Sequence, residues 1–150
     1  MRTRRSIPIA IAATAALIMA LTASSLSLAG GRPFTVELTG AAEVPGPGDP
    51  DGAGTATFWM NPGQERVCFE YSVSGVADLT AAHIHRGTAG VAMPPLIGMD
   101  PTSTSGGSGC VDVERSVIQD IIRNPSGYYF NVHNAPFPPG ALRGQLSRQP

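Results

Sequence analysis

The sequence predicts an all-β fold, an antiparallel β-sandwich or flattened Greek-key barrel with one short helix in a crossover. Three observations carry that reading. Beyond residue 33, short runs alternate apolar and polar residues with a period of two, the signature of half-buried strands. Clusters of Gly and Pro punctuate those runs, as connections between short strands require. Only residues 115–123 show helical spacing.

The elements follow in order. Residues 34–38 (FTVEL) alternate and form the first strand, and the Gly/Pro-rich stretch 40–54 is a connecting loop. Residues 54–60 and 66–73 form a hairpin around Asn61-Pro62-Gly63-Gln64, which supplies turn chemistry. In its second strand Val67, Phe69, Tyr71 and Val73 share one face, and Cys68, Glu70 and Ser72 share the other. Residues 79–86 form a strand, and 91–97 a short one kept at an edge by Pro94-Pro95. Residues 102–109 are a Ser/Gly loop and 109–113 return to the sheet. In 115–123, Val117, Ile118, Ile121 and Ile122 make one apolar face, and Asn124-Pro125-Ser126-Gly127 stops the helix. Strands 128–133 and 141–147 close the domain around the Pro-rich loop 135–140.

Residues 1–29 read as a secretory signal peptide: a basic start with Arg2, Arg4 and Arg5, an apolar run, then small residues at Ser27-Leu28-Ala29. Without that segment, residues 30–150 make one domain, with no further membrane span and a secreted, periplasmic or cell-surface location. Seven arginines then face eleven acidic residues, so no basic patch serves nucleic acid. The only cysteines, Cys68 and Cys110, lie 42 positions apart, and an exported chain with an even pair most simply closes one disulfide. The alternative, a metal-binding or catalytic thiol pair, finds no CxxC spacing behind it.

From Phe34 onward the stretches FTVELTGAAEVPG, GTATFWM, VCFEYSVSGV, AAHIHRGTAGVAMPP and NPSGYYFNVHNAPFPPGALRGQL resemble the chordin-type (CHRD) domain family and together cover essentially all of residues 30–150. The resemblance implies a secreted all-β module and no established chemistry. The order of parts is also distantly similar to the copper/zinc superoxide dismutase sandwich. By that likeness His83, His85 and His133 match copper ligands and Arg143 an anion-guiding arginine. No bridging histidine, no zinc-ligand set after Arg86 and no matching cysteine positions accompany it.

All three histidines of the chain fall in the two most specific stretches. Residues i and i+2 of a strand share a face, so His83 and His85 project together, as do Tyr129, Asn131 and His133. With Ile84 and Val132 facing the core, the imidazoles face outward. Three such nitrogen donors suit copper or, less well, zinc, with a position left open. Hydrogen bonds that pin loops are the competing role for the same residues.

Two function classes follow: an exported binding or structural module with an extracellular ligand or protein partner, and a copper metalloprotein with superoxide dismutase-like or other redox activity. Recognition through the loops 45–52 and 135–140 is a third, weaker reading. Hydrolase chemistry lacks a nucleophile elbow, and Glu43, Glu70 and Glu114 are too scattered for a paired-carboxylate site. Arg143 is read either as a surface or inter-loop salt bridge or as an anion contact beside the histidines.

Overall fold

A computed structural model of the chain describes residues 31–148; the expected signal peptide lies outside them. The described elements are β1 (Arg32–Thr39), β2 (Ala53–Asn61), β3 (Arg66–Ser74), β4 (Leu79–Arg86), β5 (Pro95–Gly98), β6 (Gly106–Asp112), α1 (Arg115–Arg123), β7 (Tyr128–Asn134) and β8 (Leu142–Gln145). One sheet runs in the order β5-β4-β7-β8-β1-β2-β3-β6, with every pairing antiparallel.

That sheet is thin at one place and open at another. A single registered pair, Thr39 with Arg143, joins β1 to β8. The end strands β5 and β6 do not pair with each other. The molecule is therefore a flattened, nearly closed barrel of two four-stranded layers, β1-β2-β3-β6 and β5-β4-β7-β8. The chain between β5 and β6 bridges the open side: Met99 N donates to Ala82 O, while Thr104 O and Ser105 O accept from Leu79 N and Val73 N, each at 2.9 Å. Helix α1 is the crossover from β6 to β7, with Ile118 and Ile121 fully buried.

Strand alternation builds the core. Val36, Phe58, Phe69, Tyr71, Ile84, Phe130 and Val132 all turn inward. Phe130 is central, with ring centroids 5.1 Å from both Phe58 and Tyr71. Each such side chain contributes about 1.5–3 kcal/mol by leaving water. The buried Tyr71 hydroxyl keeps a partner by donating to Met99 O at 3.0 Å.

Two strands depart from the sequence expectation by more than two residues at one end. β5 begins at Pro95, not residue 91, because the preceding chain loops over the outer face of the sheet. β6 begins at Gly106, inside the expected Ser/Gly loop, because β3 offers Tyr71 and Ser72 as ladder partners and pairing overrides weak local propensity. β8 ends at Gln145, short of residue 147. Cys68 and Cys110 face each other across β3 and β6 and form the disulfide.

Candidate metal centre

The outward face of β4 and β7 gathers the histidines. In their register His83 opposes Asn131, His85 opposes Tyr129, and Ala81 opposes His133. His133 is thus a diagonal neighbour of His83, within reach of a long side chain. Ile84 and Val132, fully buried, fix the inward face and leave the three imidazoles on the other. One nitrogen from each ring lies within 4.8 Å of the others.

Hydrogen bonds decide which nitrogens can ligate. His85 Nδ1 is 2.7 Å from Met93 O, and His133 Nδ1 is 3.0 Å from Pro138 O. A carbonyl only accepts, so both Nδ1 atoms carry hydrogen and each Nε2 keeps its lone pair; His133 Nε2 faces His83, and His85 Nε2 lies 2.9 Å from Asn131 Oδ1. His83 turns the other way, with its Nδ1 3.2 Å from His133 Nε2. Two nitrogens held about 2.0 Å from one ion at a tetrahedral angle are about 3.3 Å apart, so this pair already has the required spacing. Imidazoles whose second nitrogen is held by a carbonyl are the usual form of metal-ligating histidine.

Two loops cover part of this outward face, burying His85 and leaving His83 and His133 half-buried. Residues 87–94 fold back over it: Tyr129 Oη sits 3.1 Å from Met93 N, and Arg143 donates to Val91 O and Thr88 O at 3.0 Å each. Residues 135–140 bring Pro138 O to His133, and Asn134 Oδ1 accepts from Phe137 N at 2.9 Å. His85 is 4 % exposed as a result. Burial, then the neighbouring His133 and His85, hold His83 below the ordinary histidine pKa; Asp100 opposes them. Burial also holds His133 low, against the hydrogen bond to Pro138. Both shifts favour the neutral, ligating ring.

Arg143 corrects the expectation of a surface position. It is 2 % exposed, and its guanidinium lies 3.4 Å above the Tyr129 ring. Its donors go to loop carbonyls. The Tyr129 ring is stacked on His85 at 4.6 Å with 5° between planes. β7 carries Tyr129 between β4 and β8, so the ring stands between His85 and Arg143.

Residues 34–146 match the model of the CHRD domain. The chain belongs to the CHRD domain family. No curated protein and no solved structure matches it, so the likeness to copper/zinc superoxide dismutase gains no support. Among the described residues no helix is long and apolar enough to cross a membrane.

Sequence reasoning found the three histidines and missed what surrounds them. Asn131 Oδ1 lies 2.9 Å from His85 Nε2, and its place two residues before His133 on the same face was the available signal. Glu43, set aside as scattered, is 5 % exposed, and burial pushes its carboxyl up to about 7. No local pattern marks it, because the loop that buries it is irregular.

Proposed function

We propose that this CHRD domain is an exported metal-binding module that holds one copper ion on His83 Nδ1, His85 Nε2 and His133 Nε2. The observation that carries the reading is the convergence of three ring nitrogens within 4.8 Å, two of them on rings whose other nitrogen is tied to a carbonyl. The donor set favours copper: all three ligands are neutral imidazoles, and divalent copper outranks zinc at a given nitrogen site. Three ligands leave a position for water or a small ligand, and copper there supplies one-electron chemistry. Arg143 and Tyr129 serve by fixing His85 and the loop 87–94 above it. Export follows from the leader-like sequence of residues 1–29.

Metal analysis of the mature protein purified without a His-tag, then calorimetric titration with Cu²⁺ and Zn²⁺, tests the reading. Stoichiometric binding, tighter for Cu²⁺ and lost in His83→Ala/His85→Ala, is expected. No binding, with the variant merely less stable to heat, would leave the histidines as struts of a structural module.

A further inference from the structure

Behind His85 the covered face continues to a buried acid. Glu43 Oε1 is inaccessible and has no hydrogen-bond partner. The fold keeps room for this side chain at two glycines. A Cβ on Gly140 would collide with the carboxyl, and one on Gly48 would collide first with Ala141 O and then press on Glu43 Cγ. Asn131 is the side chain hydrogen-bonded to Glu43, and Asn131 Oδ1 lies 2.9 Å from His85 Nε2. The charged group acting on Glu43 is Arg143 from β8. Asp49, buried in the same loop, accepts from Asp51 N.

The direction of these bonds sets the chemistry. An amide has one accepting end and one donating end. With Oδ1 toward His85, Asn131 turns its NH₂ toward Glu43, and a carboxylate is the better acceptor for it. The same orientation aims the amide oxygen at the place where His85 Nε2 meets an ion. Oxygen and nitrogen lone pairs facing each other repel; a cation between them, or a water bound to that cation, relieves the repulsion.

Resting on the copper reading above, we propose that Glu43 is a positioning residue of the metal centre: through Asn131 it holds an amide oxygen toward the open coordination position and supplies the negative charge that balances the ion. Metal binding and loss of the Glu43 proton are then linked. The carboxyl sits near half-protonation at neutral pH, because burial outweighs the lowering by Asn131, the Val44 amide and Arg143. A cation held by His85 on the far side of Asn131 favours the carboxylate.

The test is calorimetric Cu²⁺ titration of the full mature chain in buffers of different ionisation enthalpy, from pH 6 to pH 8.5, for wild type, Glu43→Gln and Asn131→Ser. Gln keeps the shape and the acceptor but cannot ionise. Wild type is expected to release about half a proton more than Glu43→Gln near pH 7, and the excess to vanish by pH 8.5. Affinity near neutral pH is expected to fall about tenfold in both variants, as when an outer partner of a metal site is removed. Thermal melts establish that each variant is folded. Equal proton release by wild type and Glu43→Gln at every pH would overturn this inference while leaving the copper site intact. Absence of binding in wild type would remove both.

Discussion

The two layers of the barrel obey the same alternation rule and use their outward faces in opposite ways. On β1-β2-β3-β6 the outward residues, among them Thr35, Glu37, Glu70, Ser72 and Asp112, remain at the surface. That layer is stapled by Cys68–Cys110 and carries the exposed ion pair Arg66–Asp112. On β5-β4-β7-β8 the outward residues His85, Asn131 and Arg143 are buried although polar. Two loops cover them and hydrogen bonds hold them. Polar groups taken out of water cost free energy unless they are paired, so the second layer depends on a hydrogen-bonded arrangement that the first does without. Such a cluster is where function is sought.

The largest expected effect separates the layers. Removing the staple with Cys68→Ala/Cys110→Ala is expected to destabilise the domain by about 4 kcal/mol through loop-closure entropy, as chemical denaturation would measure. Copper affinity of the folded variant is expected to stay unchanged. A parallel loss of binding would break the comparison, because it would make the first layer part of the site.

Next comes the ion itself. Free Cu²⁺ at a hundred times its dissociation constant is expected to stabilise wild type by about 2.7 kcal/mol and to leave His83→Ala/His85→Ala unmoved. Melting curves with and without metal read this directly. A third, smaller change sharpens the role of the covering loop. Arg143→Lys keeps the charge but loses the planar stack on Tyr129 and the paired carbonyl contacts, a cost of about 1–2 kcal/mol with weaker copper binding. Unaltered stability would show that the loop 87–94 does not depend on this guanidinium.

The pH dependence of the metal-free protein has two opposing parts. His83 and His133 are held below their ordinary 6.5, so below that pH the unfolded chain takes up protons first, and stability falls with acid. Glu43 is raised from 4.5 to about 7, so its contribution is full below pH 4.5 and is lost as pH rises toward 7. Between pH 4.5 and 6.5 the two oppose each other. In Glu43→Gln the histidine part alone remains, and its melting temperature is expected to fall more steeply with acid than that of wild type. The smallest effect belongs to the exposed layer: Arg66→Ala, which removes the surface ion pair with Asp112, is expected to cost no more than about 1 kcal/mol.

Alternation in the sequence was enough to put Ile84 and Val132 on the faces opposite the histidines, because a pleated strand has only two faces, and the structure shows those faces to be the inner ones. It also located the helix, whose apolar spacing and Asn-Pro stop are local signals, and the cysteine pair, which had no other partner. Local signals failed where pairing decided. Gly106, Gly107 and Ser108 read as a loop and became strand only because β3 offered an edge. What the sequence alone could not determine was that β4 and β7 are neighbours, which brings His133 diagonally beside His83. Nor could it show that Glu43, Asn131 and Arg143, from three distant stretches, are buried together. Strand direction is set by adjacent residues, whereas adjacency and burial are set by contacts between residues far apart in the chain, and only the closed barrel makes those.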